Sequence, residues 1–395
     1  MDTDHPCALA HDYLLVNRGA ERTFEVIAGC WPDAPIYTLL YDEAATERRY
    51  AGREIRTSHL QRLPIRQGSF RQLLPFYPLA VRTLRPSARL VVSSSSAFAH
   101  GVRPAPGALH VCYCHSPFRY AWHDRGRALR VTPRSMRGPL EAVLAGIRVA
   151  DRAAVRRVDY FIANSEITRE RIARFWKREA VVIHPPVDVH RFTPGQPEDW
   201  FLVVGELVSH KRVELALEAA RRSGQPIKVV GAGPDRAALE RQYGDRDGVE
   251  FLGRVDDVRL ADLYARARAV VVASVEEFGI VAVEAQAAGR PVISVDAGGA
   301  RETIVPGMTG VLVPPENVDA FAEAMRYTDF DAFQTDRIVA QAQLFSPEVF
   351  RARLRGELQR VTNAPELFDP PARPTSRFER SRFAPAGTPD PVHGP

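Results

Sequence analysis

The sequence is poor in lysine, cysteine and long apolar runs, and each shortage removes a class of protein. Only Lys177, Lys211 and Lys228 stand among 53 basic residues, so nearly all positive charge is arginine and each lysine is conspicuous. The four cysteines, Cys7, Cys30, Cys112 and Cys114, make no CxxC pair. Cys112 and Cys114 share one face of a strand-like run, and reduced core thiols are expected there, not a metal or redox centre. No apolar run approaches the roughly 20 residues that a bilayer crossing needs. The opening MDTDHPCALAHDYLLV lacks a basic n-region and has only a short apolar run. No signal peptide is expected, and a cytoplasmic enzyme fits best. No G-x-G-x-x-G follows the first strand, which argues against a dinucleotide oxidoreductase. Asp245 and Asp247 sit in a Gly-flanked turn and read as turn chemistry, not as a metal-binding pair.

What is present is enough chain for two or three domains, 395 residues with a net charge of +5 and a pI of about 9.1. The most informative stretch runs from Ala269 to Val305. It reads as a strand (Ala269–Ala273), a polar loop, a helix opened by Phe278-Gly279 and running to about Ala288, and a second strand (Val292–Val295). Gly289 stands where a helix C-terminus wants glycine, and Pro291 where the helix cannot continue. Strand–helix–strand implies a parallel sheet with a right-handed crossover. Gly279 lets a ligand approach the backbone, and the free amides of Gly279, Ile280 and Val281 suit an anion at a helix start. Glu276 and Glu284 flank that helix end, one on the loop and one eight residues on. They are either hydroxyl-binding carboxylates beside a diphosphate or solvated surface groups.

The string E-E-F-G-I-V-A-V-E-A, with the flanks G-R-P-V-I and G-G-A-R-E-T-I, resembles the E-x7-E signature of retaining glycosyltransferases of family 4. These have the GT-B fold, α/β with two Rossmann-like parallel-sheet domains facing a central cleft. The resemblance covers roughly residues 7 to 361. It implies that Glu276 bonds sugar hydroxyls, Glu284 the ribose, and that Phe278 and the amides after it hold the diphosphate of a nucleotide-sugar donor.

Other stretches fit the same resemblance. Cys7–Ala10 reads as a strand, then a loop, then a helix from near Ala20 to Gly29. Gly19-Ala20-Glu21-Arg22 matches the family's first loop, except that Arg18 stands where the first glycine would be. The string H-S-P-F-R-Y-A-W after the strand His110–His115 resembles a mannosyltransferase-like subgroup. It implies that His115 contacts the transferred sugar and that Arg119 and Tyr120 shape a pocket. A histidine just past a strand's carboxyl end is in the crevice position of an open α/β sheet. Gly205 to Arg212 places Lys211 and Arg212 at a strand exit suited to phosphate. The family implies that the lysine grips the donor, with Glu206 standing where many members have arginine. Gly231-Ala232-Gly233-Pro234 is a tight turn, and the Arg254-Val255 loop corresponds to the one that reads the base.

The resemblance and composition together give an ordered plan. Residues 1–185 form an acceptor domain, 186–198 a proline-stiffened hinge, and 199–345 a donor domain. A helix over 346–362 crosses back to the first domain, and 363–395 form a proline-rich disordered tail. Ser94–Gly101 is expected as a loop over the cleft, Arg125–Pro139 as a flexible basic loop, and Ser165 as a helix N-cap. Residues 53–89 carry eight arginines against one acid, Glu54, interleaved with Leu73-Leu74-Pro75-Phe76-Tyr77. That suits an anionic membrane surface, or a solvated basic face; nucleic acid is a third reading without a motif. The implied reaction is transfer of a hexose, mannose from GDP-mannose first, from a nucleotide-diphosphate sugar to a glycan or polyprenyl-linked acceptor. It proceeds with retention, with no metal or other cofactor, as part of cell-surface polysaccharide synthesis. A nucleotide-sugar epimerase on the same fold and a non-catalytic nucleotide-sugar-binding protein are the alternatives.

Overall fold

The computed structural model describes residues 5–16, 18–63, 70–244 and 248–362. The Asp245 and Asp247 turn, Arg66 and the proline-rich tail lie outside them. Two parallel sheets carry the chain. The first runs β3-β2-β1-β4-β5-β6-β7 and the second β10-β9-β8-β11-β12-β13. The first sheet comprises β1 His5–His11, β2 Ile36–Thr38, β3 Ile55–Thr57, β4 Ala88–Ser95, β5 Leu109–Cys114, β6 Tyr160–Ala163 and β7 Val181–Val182. The second comprises β8 Phe201–Val204, β9 Ile227–Val230, β10 Val249–Gly253, β11 Ala269–Val272, β12 Val292–Val295 and β13 Gly310–Val313. Strands such as β11 (AVVV) and β8 (FLVV) are apolar at every position because helices cover both faces of a parallel sheet.

Strand order reverses beside β1 in the first sheet and beside β8 in the second, where β1 pairs both β2 and β4 and β8 pairs both β9 and β11. A crevice opens at the carboxyl ends of the strands at such a reversal. The last helix, Pro347–Thr362, buries Phe350, Leu354 and Leu358 among Leu9, Phe24 and Val92 of the first sheet's core. Their spacing of four residues keeps them on one face. Among the described residues, no helix is long and apolar enough to cross a membrane.

Several local expectations are corrected. The basic segment after Arg125 is two helices, Arg125–Val131 and Arg134–Val155, with Pro139 inside the second. Pro139 is the sixth residue of that helix, past the four whose N–H groups lack an intrahelical acceptor, so it removes one internal hydrogen bond. Ser93, Ser94 and Ser95 lie within β4, fully buried, where a cleft loop was expected from Ser94 on. Each hydroxyl meets an imidazole instead: Ser93 with His110 (2.8 Å), Ser94 with His115 (2.9 Å) and Ser95 with His100 (3.0 Å). The strand tolerates serines because each buried hydroxyl is hydrogen-bonded. Ser165 makes no cap; its hydroxyl donates to Asn164, and the amide of Glu166 is capped by the Glu302 carboxylate at 3.0 Å. The stretch 53–89 is not one surface. Arg53 donates to the carbonyls of Ala28, Trp31 and Ala34, and Arg56 lies on β3 beside Glu54.

A candidate anion and sugar site in the cleft

A cavity of about 390 Å³ lies between the carboxyl ends of the two sheets. Ten sequence-derived candidates line it: Gly19, His115, Arg119, Gly205, Lys211, Glu276, Phe278, Gly279, Ile280 and Val281. Gly19 follows β1, His115 follows β5, Gly205 follows β8, and Glu276 to Val281 follow β11. Parallel strands put all of these exits on one side.

The loop after β11 is shaped by glycines. Gly279 is the N-cap of the helix Ile280–Ala287 with φ +93°, a conformation that costs other residues energy. A Cβ there would meet nothing closer than the Glu276 Cβ at 4.0 Å, so the space before the helix start is open. The first amides of the helix have no acceptor within it and face that space. Lys211 Nζ donates to both oxygens of Glu276 at 2.8 Å, and the Ser274 hydroxyl donates to Glu276 as well. One ammonium, one carboxylate and a helix start therefore share a wall. That arrangement can hold an anion by the amides and the lysine, and hydroxyls by the carboxylate.

His115 faces this wall from the first sheet. Its N–H donates to Ser95 O (2.8 Å), its carbonyl accepts from Thr168 Oγ1 (3.1 Å), and its ring lies edge-on to Tyr113. Burial, with the neighbouring His11, pulls its pKa down to about 3, so the ring is neutral at pH 7. It therefore acts as a hydrogen-bonding group, not as a charge.

The remaining candidates lie elsewhere. Arg212, in the left-handed region at φ 52°, pairs with Glu214 (2.7 Å) and Glu316 and does not line the cavity. Gly231 does not touch the cavity but supports it. A Cβ there would fall 1.8 Å from the Gly205 carbonyl. Tyr120 is exposed beside Phe118, and Arg254 and Val255 line neither this cavity nor its neighbour. Glu284 is buried in an adjacent cavity of about 600 Å³, which meets the first at Ile280. It accepts from the Tyr264 hydroxyl at 2.9 Å and lies 3.7 Å from Arg22. Burial raises its pKa, partly offset by the Tyr264 hydroxyl and Arg22.

Residues 190–330 match the family model described as glycosyl transferases group 1. A D-inositol 3-phosphate glycosyltransferase of Gordonia bronchialis is 31% identical over 210 residues, 45% of this chain and 46% of the relative. The D-rhamnosyltransferase WbpZ of Pseudomonas aeruginosa is 35% identical over 160 residues, 39% of this chain and 42% of the relative. The chain thus spans a little under half the length of the curated relatives it matches. The solved structure of Anabaena Alr3699/HepE in complex with UDP and glucose superposes over 90% of this chain and all of that one, with TM-score 0.65 and 18% identity. Sucrose-phosphate synthase of Thermosynechococcus elongatus covers 90% of this chain and 99% of its own, with TM-score 0.65 and 20% identity. The fold is GT-B.

In this GT-B chain the two sheets also meet through charges that the sequence reading overlooked. Glu277 reaches Arg171 (2.9 Å) and lies 3.7 Å from His123, both in the first half. Burial works to raise its carboxyl, but His123, Arg171 and Arg119 outweigh that and hold it well below the carboxylate range. Glu302 bonds His184 at 2.8 Å besides capping Glu166. Arg18 and Glu206, the two positions that depart from the family pattern, face each other across the cleft at 3.6 Å. Asp12, buried at the end of β1, accepts from the amides of Ser96, Phe98 and Ala99 and fixes the exit of β4. The sequence signals for these were the doubled glutamate at 276–277 and the run of serines at 93–96.

Proposed function

We propose that this protein is a retaining glycosyltransferase of family 4 that moves a hexose from a nucleotide-diphosphate sugar to an acceptor hydroxyl. The observation that carries the reading is the Lys211–Glu276 pair beside the Gly279 helix start, facing neutral His115 across one cavity. Departure of a nucleoside diphosphate develops negative charge. Lys211 and the amides of Gly279, Ile280 and Val281 are placed to stabilise it. For that, Lys211 exchanges one of its bonds to Glu276 for a phosphate oxygen, which frees a Glu276 oxygen for a sugar hydroxyl. The ribose then passes over Ile280 towards Glu284, in the adjoining cavity. Arg18 supplies from across the cleft the second cation that the family pattern places at position 206. His115 orients the sugar from the opposite sheet, and no protein nucleophile or metal is required.

GDP-mannose is the donor we put first, with UDP-sugars next because neighbours of this fold are solved with UDP and glucose. The acceptor class is a glycan or a polyprenyl-linked glycan in cell-surface polysaccharide synthesis. Phe76 and Leu79 stand exposed within the arginine-rich stretch 53–89, which suits peripheral contact with the inner face of an anionic membrane.

The test is thermal stabilisation by GDP-, UDP-, dTDP- and ADP-sugars with and without EDTA, followed by assay of released nucleoside diphosphate. A ligand at a hundred times its Kd adds about 2.7 kcal/mol. A metal-independent shift with one sugar nucleotide, and nucleotide release that needs an acceptor, is the expected result. Sugar isomerisation without acceptor would favour an epimerase. Binding of a sugar nucleotide with no turnover would favour a binding protein.

A further inference from the structure

Three side chains, His11, Ser94 and His115, form a hydrogen-bonded line, and the Glu21 carboxylate faces its far end. Glu21, on the helix Gly19–Gly29, has a carboxylate oxygen 3.9 Å from His11 Nε2. His11, the last residue of β1, is stacked on Phe24 with ring centroids 4.6 Å apart, which holds its plane. Its Nδ1 is 3.2 Å from Ser94 Oγ, and Ser94 Oγ is 2.9 Å from His115 Nε2. Ser94 is fully buried, so water does not take either place.

A hydroxyl has one proton to give, and two imidazole nitrogens face this one. Ser94 therefore donates to one ring and accepts from the other. The Glu21 carboxylate decides which: 3.9 Å from His11 Nε2, beyond hydrogen-bond reach, its negative charge attracts an N–H dipole pointing at it. It favours the His11 proton on Nε2, which makes His11 Nδ1 the acceptor of the Ser94 proton. Ser94 Oγ must then accept from His115, whose single ring proton sits on Nε2. That leaves His115 Nδ1 with a lone pair. Among the described residues nothing bonds Nδ1, and it is not among the sealed polar atoms of the interior.

We propose that Ser94 is a positioning residue that fixes the ring proton of His115 on Nε2, so that Nδ1 accepts a hydrogen bond from whatever the cavity holds. The group seated there must be a hydrogen-bond donor. On the glycosyl-transfer reading, on which this part rests, that group is a hydroxyl of the transferred sugar, and a sugar lacking it leaves the lone pair unmatched. His11 and Glu21 act on the sugar only through this line.

The experiment is a two-bond proton–nitrogen correlation spectrum of the histidine rings in ¹⁵N-labelled full-length protein at pH 7.5. His115 is assigned by the signals lost in His115→Ala. The expected pattern is the neutral Nε2–H form. A neutral Nδ1–H pattern, or an averaged mixture, overturns the proposal; it would mean that His11 donates to Ser94 and reverses the line. In Ser94→Ala, the His115 signals should move to a mixture of both forms, and kcat should fall about tenfold with the KM for the sugar nucleotide within twofold. An unchanged Nε2–H pattern in that variant would also overturn it. The wild-type spectrum needs no active preparation, and the one variant it relies on, His115→Ala, serves only for assignment. Absence of transfer with every sugar nucleotide would overturn the functional reading and leave the ring-proton result standing.

Discussion

The C-terminal wall of the cavity is built mainly from one stretch, residues 271–281 apart from Val275, with the β8 exit, Lys211, Val213 and Ala216 added. The N-terminal wall is assembled from the exits of β1, β4, β5 and β6, contributing Gly19, Ser96, His115 and Asn164. On the proposed function, the difference follows from what each wall would hold. An anion is gripped by backbone amides at a helix start, and consecutive residues supply those. A neutral, directional contact such as His115 needs its ring fixed from behind, and only side chains brought in from other strands can do that. The matched family model likewise covers residues 190–330 and none of the N-terminal wall.

The sharpest way to break the comparison is at the C-terminal wall. Glu276→Ala and Lys211→Ala should each lower turnover by about 10²-fold or more, or ~2.7 kcal/mol. Rates within threefold of wild type would remove both residues from the chemistry. The next effect is on the scaffold. A Cβ at Gly299 would lie 2.2 Å from the Phe278 carbonyl oxygen, so Gly299→Ala should push the 276–279 loop out of place. About 1–3 kcal/mol of stability should be lost, with a fall in donor affinity, measured by denaturant titration and ligand-induced shift.

Contacts between the walls should matter less. Glu277→Gln removes the charge that meets Arg171, a pair still partly open to water, and should cost about 1–2 kcal/mol. Acidification gives a graded version of the same test. Glu277 has a depressed pKa, so its stabilisation is present above the unfolded value near 4.3 and lost as pH falls below it. His110 and His115 are held at about 3 by burial, while in the unfolded chain a histidine titrates near 6.5. Between those values the unfolded chain binds more protons, so stability falls as pH drops below 6.5. The denaturation midpoint should decline steadily from pH 6.5 to 4, and a flat profile would show these rings to be exposed. The smallest effect is expected at the surface: Arg82→Glu should weaken binding to anionic vesicles severalfold while leaving unfolding unchanged. Unaltered vesicle binding would remove the membrane contact.

The apolar runs from β8 to β12, the glycines around Gly279 and the 276–284 spacing were all legible in the sequence, because each is set by neighbours within about ten residues. β2, β3 and β13 were missed; they are only three or four residues long, and Tyr37-Thr38, Arg56-Thr57 and Gly310 break up their apolar content. Ser94 and Ser95 were misread as loop, although Ser96 to Gly101 does leave the strand and Ser96 lines the cavity, because serine in a strand is bland until its partner is known. Here the partners lie from 5 to 83 residues away in sequence.

By itself, the sequence determined the α/β alternation and the chemistry of the helix start, since hydrophobic period, caps and turns are local physics. Tertiary structure decided which charges meet. Glu206 looked like a lost cation until Arg18 stood opposite it, and Glu277 drew no reading at all until Arg171 and His123 closed on it. It also decided that Arg53 holds carbonyls and that His115 is neutral. Burial and pairing depend on what the other half of the chain places nearby, and no spacing within one stretch encodes that.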